Sequence, residues 1–381
     1  ASGGMAQRSL VAAAMLTDAP VLVADEPTKG LDSARVGHAL GLLHGMLDRG
    51  RGLMVITHDY AVAQGLPGTL AVMKDGRIVE QGDRAVILMA PSDPYTRAWL
   101  DADPDRWPKG AKPSAGSTPI LTGRNLAFAW PKHPALFTDL DIDLRPGQMV
   151  AVTGASGCGK TTLGDVLLGL RAPLRGRVSW AGDDPYLNRS ATRRLRRRYQ
   201  KLHQNPASAF MPGEMIGRQI GFLAEIVPGL DLTERLPALL ERLRLRTALL
   251  ARLPSEVSGG EAQRLALLRL LLLEPLVIVA DEPTSHLDPI VQREVIGLLR
   301  ECVDRDGLAV MLISHDLPLV SHFCDRVCVM YAGRVMETLA ARDLAHAQHP
   351  YTRGLLACLP KIDQHVARLP VLTRDPAWLA S

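Results

Sequence analysis

The chain has 381 residues, of which 47% are hydrophobic and 22% are charged, and its formal net charge is +4 at neutral pH. This length is enough for roughly two to three domains, and the composition is that of a globular protein with ample core. An intrinsically disordered chain is excluded, and so mild a charge gives no argument for a nucleic-acid partner.

The sequence predicts no signal peptide and no membrane-spanning helix. Its most apolar run, 265–280, is interrupted by Arg269 and by Glu274-Pro275, and it therefore predicts a helix, a break and a strand. The five cysteines are scattered and odd in number. This pattern disfavours a zinc site and favours reduced thiols in a cytoplasmic protein.

The first elements place acidic residues at a strand end. Ser2-Gly3-Gly4 precedes a run of good helix formers. An apolar strand at 21–24 then ends in Asp25-Glu26-Pro27-Thr28, and another at 53–57 ends in His58-Asp59. Carboxylates at the C-terminal end of a buried strand lie where open α/β sheets place their chemistry.

Residues 101–118 are rich in Pro, Asp, Lys, Gly and Ser, a composition that predicts an exposed linker partly stiffened by proline. We therefore expect a first domain over 1–100, a second domain over 119–360 and a C-terminal tail over 361–381.

A phosphate-binding pattern opens the second domain. The stretch Gly154-Ala155-Ser156-Gly157-Cys158-Gly159-Lys160-Thr161 fills every fixed position of G-x-x-x-x-G-K-[ST], between a predicted buried strand and a helix beginning near Thr162. Its backbone N–H groups and the helix N-terminus would surround phosphates, Lys160 would reach the β- and γ-phosphates, and the Thr161 hydroxyl would bind Mg²⁺. The alternative is a glycine-rich turn that binds nothing, which the complete match in this context disfavours.

The motifs occur twice at nearly constant spacing. Ser2-Gly3-Gly4 returns as Ser258-Gly259-Gly260 (258 − 2 = 256), Asp25-Glu26 as Asp281-Glu282 (281 − 25 = 256) and Leu31-Asp32 as Leu287-Asp288 (287 − 31 = 256). His58-Asp59 returns as His315-Asp316 (315 − 58 = 257), and the Pro-Tyr-Thr-Arg of 94–97 returns at 350–353 (350 − 94 = 256). A register held over about ninety residues predicts a tandem duplication.

The two copies are unequal. A phosphate-binding loop in the first copy would lie at 154 − 256 = −102, ahead of residue 1. We therefore expect residues 1–100 to be the C-terminal part of a first domain, and the sequence to be truncated on its N-terminal side.

These motifs resemble the nucleotide-binding subunits of ABC transporters. In the second copy the resemblance includes the phosphate-binding loop, Gln204 within His203-Gln204-Asn205-Pro206, the signature 257–261, Asp281-Glu282, Ser285-His286-Leu287-Asp288 and His315. It implies an α/β fold: P-loop NTPase domains of the ABC type, each a RecA-like core plus a helical subdomain, in tandem and with the first one partial.

Finer features resemble one branch of that family. The Pro-Tyr-Thr-Arg segments are similar to the segment after the ATPase core in importers of the oligopeptide, dipeptide and nickel group, and the two copies resemble the two subunits of that group's ATPase pair, which implies a fusion. Ala1 and Val257 stand where Leu or Phe is usual, and Asn205 stands where Asp is common. The cysteine-rich C-terminal segment of some subunits is absent, so we expect no iron–sulfur cluster.

The resemblance assigns roles to the acidic pair and its neighbours. Asp281 would hold Mg²⁺ and Glu282 would polarise the attacking water, with strand alternation sending the two side chains to opposite faces. His315 would hydrogen-bond the γ-phosphate, and Gln204 would sense Mg²⁺. The counterparts in the first copy are Asp25, Glu26 and His58. The alternative for an acidic pair at a strand end is helix capping.

Other expected contacts follow from the same resemblance. Nucleotide would be bound by the loop 154–161, Thr162, Gln204, Trp130, the signature residues Ser258, Gly259, Gly260, Ser2, Gly3 and Gly4, and by Asp32 and Asp288. The expected Mg²⁺ ligands are Thr161, Gln204, Asp281 and Asp25. Trp130 lies where the family places an aromatic residue against adenine, with Phe128 as a rival and core packing as the structural alternative.

Residues 193–198 form the one strongly basic run, with five arginines. Binding to nucleic acid or to a lipid surface is one interpretation. A solvated helix face is favoured, because the aromatic residues that a nucleic-acid platform interleaves are missing.

Taken together, the resemblance implies an ATP- and Mg²⁺-dependent motor of an importer for peptides or nickel, at the cytoplasmic face of the membrane. Its partners would be two membrane permease subunits and, indirectly, a solute-binding protein, with no nucleic acid. The two copies would pair, so that Ser2, Gly3 and Gly4 complete the site at 154–161. The alternatives are a soluble tandem ATPase acting on ribosomes or nucleic acid, which the short linker disfavours, and a regulatory half-site protein, which Glu26 and Glu282 disfavour.

Overall fold

A computed structural model describes residues 19–28, 33–102, 107, 118–187, 189–285, 287–359 and 378. The described residues fall into two compact units. The first contains those up to 107 together with 288–290, 347–359 and 378, and the second contains those in 118–287 and 291–346. Within these ranges no helix is long and apolar enough to cross a membrane.

The first unit contains two small sheets. Its elements in chain order are β1 (Val21–Asp25), α1 (Ser33–Leu47), β2 (Gly52–Ile56), α2 (Tyr60–Gly65), β3 (Thr69–Lys74), β4 (Arg77–Asp83), α3 (Arg84–Met89) and α4 (Pro94–Asp101). Strands β1 and β2 pair in parallel, and β3 and β4 form an antiparallel hairpin.

The β1–β2 pair is covered on one face only. Leu22, Ala24, Leu53 and Val55 pack against buried side chains of α1 and α2. The alternate residues Val21, Val23, Met54 and Ile56 are 47–58% exposed. Because successive strand residues point to opposite faces, this pattern leaves a whole apolar face of the pair open.

The second unit is built on a six-stranded sheet and a smaller three-stranded one. Its strands are β5 (Leu121–Ala129), β6 (Ala135–Leu144), β7 (Met149–Gly154), β8 (Arg175–Trp180), β9 (Tyr199–Leu202), β10 (Val277–Asp281), β11 (Ala309–Ile313), β12 (Arg326–Tyr331) and β13 (Arg334–Ala340). The large sheet has the order β13-β12-β7-β11-β10-β9, and the antiparallel sheet has the order β6-β5-β8.

Helices separate the parallel strands along the chain. They are α5 (Lys160–Leu167), α6 (Arg189–Leu195), α7 (Ile216–Ile226), α8 (Leu232–Arg242), α9 (Gly259–Leu271), α10 (Pro289–Asp306) and α11 (Leu317–Phe323), and α12 (Pro350–Ala357) follows in the first unit. Helices α7, α8 and α9 lie between β9 and β10 in the chain.

Strands β7, β10 and β11 are buried along their whole length. Their continuous apolar runs are typical of a parallel sheet covered on both faces, because no position of such a strand meets water. The predicted α/β class is confirmed. Most of the predicted linker and the tail beyond 359, apart from residue 378, lie outside the described residues.

Asp325 fastens the start of β7 to the start of β12. Its side chain is 1% exposed, and its Oδ2 accepts hydrogen bonds from the Met149 N–H at 2.7 Å and from the Arg300 guanidinium at 2.9 Å. Arg300 also pairs with Asp304, whose carboxylate is exposed. A buried carboxylate is tolerated only where such bonds offset the loss of its hydration.

We predict that Asp325→Ala lowers the free energy of unfolding by about 3–5 kcal/mol, because it leaves the Arg300 guanidinium and the Met149 N–H without their buried partner. Asp304→Ala, which removes the exposed partner of the same arginine, should cost no more than about 1 kcal/mol. Urea denaturation of the two variants measures both values, and equal losses would contradict the anchoring role of Asp325.

Candidate functional site

The loop that joins β7 to α5 begins with a glycine for a steric reason. At Gly154 the backbone φ is +139°, and a Cβ at this position would lie 2.0 Å from the Met330 carbonyl oxygen on β12. No other residue fits a left-handed backbone against a neighbouring strand in this way. The glycine therefore lets the chain turn out of a buried strand at the carboxyl end of the sheet.

Lys160 folds back over this loop. Its ammonium donates to the carbonyl oxygens of Gly154 at 2.8 Å and Ala155 at 3.1 Å, and the residue is 7% exposed. Ser156 and Gly157 on the rim are exposed, whereas Cys158 and Thr162 are buried. The loop is thus a compact turn with an accessible rim and a cation held across it, an arrangement suited to an anion.

Asp281, the last residue of β10, connects two elements of the site. It is 7% exposed, and its Oδ1 accepts a hydrogen bond of 3.0 Å from the Thr161 hydroxyl at the start of α5. Its Oδ2 lies 3.1 Å from the ammonium of Lys201 on β9. The hydroxyl and the carboxylate are hard oxygen donors that face each other, the donor type that Mg²⁺ prefers.

Lys201 was not predicted as a site residue. Its ammonium also lies 2.8 Å from Asp165 Oδ1. Burial alone would lower the pKa of Lys201, but the hydrogen bond with Asp165 and the charge of Asp281 raise it above its ordinary value. The one signal in the sequence is a lysine in the short strand that leads to Gln204.

Glu282 is directed by an unusual backbone. Strand β10 ends at Asp281, and Glu282 follows with φ of +45° while its N–H donates to the Ile313 carbonyl at 2.9 Å. The prediction that strand alternation separates Asp281 from Glu282 is therefore wrong, because Glu282 is not in the strand. Left-handed backbone at a residue other than glycine is costly and occurs often at functional sites.

Two side chains, those of His315 and Gln204, contact the Glu282 carboxylate. Its Oε1 lies 3.5 Å from His315 Nδ1, and its Oε2 accepts a hydrogen bond of 3.2 Å from the Gln204 amide. Gln204 also donates to the Ser285 hydroxyl at 3.1 Å. Burial alone would lower the pKa of His315, but the hydrogen bond and charge of Glu282 and the charge of Asp316 raise it.

The signature Ser258-Gly259-Gly260 forms the start of α9. Ser258 caps the helix together with Glu261, each side chain bonding the backbone N–H of the other. A Cβ on Gly260 would lie 2.4 Å from Val291 Cγ1, so helix packing alone requires this glycine. Asp288 accepts a hydrogen bond of 3.1 Å from the Ile290 N–H at the start of α10.

Trp130 and Phe128 differ in accessibility. Phe128 is 6% exposed and packs against Phe137 in the core, whereas Trp130 is 37% exposed. The Arg171 guanidinium lies over the Trp130 ring at 4.4 Å from its centroid. Only Trp130 therefore presents ring surface to solvent, which favours it over Phe128 as a stacking residue.

The first copy repeats this local geometry. Glu26 has φ of +47°, its N–H donates to the Ile56 carbonyl at 2.8 Å, and its Oε1 lies 2.6 Å from His58 Nδ1. The β1–β2 register, in which Asp25 pairs with Ile56, matches the pairing of Asp281 with Ile313 in β10–β11. Ser2, Gly3, Gly4 and Asp32 lie outside the described residues.

Among the described residues, no group of three or more His, Cys, Asp or Glu side chains could hold a metal ion. Mg²⁺ is commonly bound by one or two protein oxygens together with water and the phosphates of a substrate, so Thr161 and Asp281 meet its usual requirement from protein.

Comparison with protein families gives two matches. Residues 137–285 match the model described as ABC transporter. Residues 79–125 and 336–378 both match the model described as the C-terminal region of oligopeptide/dipeptide transporters.

Two similar proteins are transport ATP-binding proteins. The glutathione import ATP-binding protein GsiA of Escherichia coli K12 is 35% identical over 399 residues, which cover 94% of this chain and 64% of that protein. The peptidoglycan transport ATP-binding protein YejF of Agrobacterium fabrum is 35% identical over 382 residues, which cover 95% of this chain and 69% of that protein. The chain thus spans about two thirds of the length of these relatives.

Solved structures share the fold. CbiO1 of Clostridium perfringens, part of the ABC transporter complex cbiONQ, matches with a TM-score of 0.55 and 25% identity over 60% of this chain and 91% of that one. The post-hydrolysis dimer of the ATP-binding cassette MJ0796, bound to ADP and phosphate, matches with a TM-score of 0.52 and 23% identity over 58% of this chain and 99% of that one.

The Glu282–His315 pair predicts a pH-dependent contribution to stability. Because the pKa of His315 is raised in the folded protein, its stabilising charge is fully present below the unfolded value, and it is lost as the pH rises through the folded value. Glu282→Gln should therefore destabilise the protein more at about pH 5.5 than at about pH 8.5.

Urea denaturation at the two pH values measures this difference, with Glu225→Gln, an exposed carboxylate on α7, as the control that should show no such trend. A loss in Glu282→Gln that is independent of pH would show that the pair does not set the charge of His315.

Proposed function

The chain belongs to the ABC transporter ATP-binding proteins of the oligopeptide, dipeptide and glutathione importer type, and we propose that it binds and hydrolyses ATP as the motor of an importer. The observation that carries this proposal is the convergence of the loop 154–161, Asp281 and Glu282 at one edge of the sheet, joined by the Thr161–Asp281 hydrogen bond. A loop of this kind, followed by a helix N-terminus, binds phosphates through its backbone N–H groups.

In this proposal Glu282 accepts a hydrogen bond from the attacking water and so orients it. Its contacts with His315 and Gln204 support this role, because they fix the orientation of the carboxylate. Phosphoryl transfer depends mainly on positioning and charge stabilisation, which the fixed orientation of Glu282 and the Lys160 cation would supply.

Mg²⁺ would be held by Thr161 and Asp281, and when bound it would neutralise charge on the β- and γ-phosphates. Trp130 would stack on adenine, and Thr162, Cys158 and Gly159 would contribute through the loop and helix backbone. Gln204 contacts Glu282 and Ser285; in this proposal it would respond to Mg²⁺ and pass that state to a membrane partner.

We propose that residues 1–100 are the C-terminal part of a first cassette. A linker would follow over 101–118, and residues 119–360 would form a complete second cassette. Three observations support it: the equivalent Glu26–His58 contact, the equivalent strand register, and the second match to the C-terminal region model.

In the proposed pair, Ser2, Gly3 and Gly4 would complete the site at 154–161. Eight further residues would contribute to the pairing of the two copies and to a second nucleotide site: Ser258, Gly259, Gly260, Asp25, Glu26, His58, Asp32 and Asp288. This pairing would couple ATP binding to closure of the two copies and hydrolysis to their release.

The proposed cargo is a peptide-like solute. The relatives described above are named for glutathione import and for peptidoglycan transport. Both compounds contain peptide bonds, and this favours peptides over nickel. The partners would be two membrane permease subunits, served by a solute-binding protein, with this chain peripheral on the cytoplasmic face. The names of the two relatives, which describe import and transport, favour an importer motor over the alternative of a soluble ATPase acting on ribosomes or nucleic acid.

We predict that Glu282→Gln lowers the ATP turnover of the chain by roughly 100-fold or more while ATP binding is retained, because the water loses its orienting carboxylate and the phosphate contacts remain. The matched variant Glu26→Gln should keep turnover close to the unmodified level, since this sequence supplies no phosphate-binding loop for that copy. Phosphate release and nucleotide binding are measured on the same preparations.

Equal loss of turnover in the two variants would contradict the assignment of hydrolysis to the site at 154–161. Full turnover in Glu282→Gln would contradict the role of Glu282.

A further inference from the structure

A continuous series of charged contacts runs from Asp281, at the end of β10, to Trp130. Lys201 Nζ lies between Asp281 Oδ2 at 3.1 Å and Asp165 Oδ1 at 2.8 Å. Asp165 in turn pairs with Arg171 at 3.3 Å, and the Arg171 guanidinium lies over the Trp130 ring. Two carboxylates and two cations therefore alternate between the metal-binding edge and the aromatic residue.

The central members of this series are shielded from water. The side chain of Lys201 is 11% exposed, that of Asp281 is 10% exposed and that of Asp165 is 15% exposed. Water screens charges at such depth weakly, so their mutual interactions are stronger than those of surface ion pairs. The Lys201 ammonium thus interacts with the Asp281 carboxylate more strongly than an exposed lysine at the same distance would.

The strands fix the position of this lysine. Strand β9 pairs in parallel with β10, and Lys201 is the register partner of Val279, two residues before Asp281. The lysine stem runs forward along the sheet to reach the carboxylate at the strand end. Because Thr161 donates to the other oxygen, both oxygens of Asp281 are held from opposite sides.

We propose that Lys201 is a positioning residue that acts as a permanent counter-ion to Asp281. With this counter-ion in place, the site accepts a nucleoside triphosphate even without a divalent cation. This inference rests on the proposed function. In the absence of metal, an unpaired Asp281 carboxylate would repel the phosphates, and the Lys201 ammonium cancels that repulsion. When Mg²⁺ accompanies the nucleotide, the same ammonium opposes the metal.

A counter-ion at Lys201 should have opposite effects on two binding reactions. Removing the ammonium should weaken binding of ATP alone and strengthen binding of ATP with Mg²⁺. A purely structural lysine would change both affinities in the same direction, because a distorted site binds either species less well. The ratio of the two dissociation constants, ATP in EDTA over ATP in MgCl₂, therefore separates the two roles.

The experiment is calorimetric titration of the 381-residue chain with ATP in each buffer at low ionic strength. Lys201→Met should raise the ratio by about tenfold, a modest fraction of the interaction expected for close, partly buried charges. Lys201→Arg, which keeps the cation, should stay within about threefold of the unmodified ratio. Asp165→Asn should lower the ratio, because the ammonium then has Asp281 as its remaining anionic partner.

A ratio in Lys201→Met within about threefold of the unmodified chain, or a ratio in Asp165→Asn that is not lowered, would overturn the counter-ion role. If Lys201→Met does not fold, as judged by circular dichroism, the Asp165→Asn arm decides. Failure of the unmodified chain to bind ATP in either buffer would overturn the proposed function itself, whereas ATP binding with unchanged ratios would overturn only this inference.

Discussion

The hydrogen bond between Thr161 and Asp281 is the interaction on which the site depends, because it joins elements that are 120 residues apart in the chain. One end is the first turn of α5, which the glycine at 154 releases from β7. The other is the end of β10, which the parallel register sets beside β11. This contact brings the phosphate-binding loop and the acidic strand end together.

The second constraint is backbone strain at the glutamate. Glu282 and Glu26 adopt the same left-handed conformation, each directly after the last residue of its strand, and each carboxylate contacts a histidine from the next strand end. Such a conformation is held only where surrounding bonds determine it, here the N–H contact with the neighbouring strand. The backbone conformation and the histidine contact are therefore the same at Glu26 and at Glu282.

Much of the fold and part of the site were accessible from sequence. The apolar runs before 25, 58, 154 and 281 predicted strands, and the glycine pattern predicted the phosphate loop, because both signals are local. The contacts of Lys201 with Asp165 and Asp281 were not accessible, since they join residues 36 and 80 positions apart (201 − 165 and 281 − 201). The backbone of Glu282 was missed as well, because no residue pattern distinguishes the last strand residue from the turn after it.

We expect the described residues to hold one phosphate site, built on Lys160. The most direct measurement is the stoichiometry of ATP binding by calorimetry on the unmodified chain and on Lys160→Ala, with Lys74→Ala, an exposed lysine of β3, as the control. We expect one ATP per chain for the unmodified protein and the control, and no detectable binding for Lys160→Ala. Undiminished binding by Lys160→Ala would contradict it.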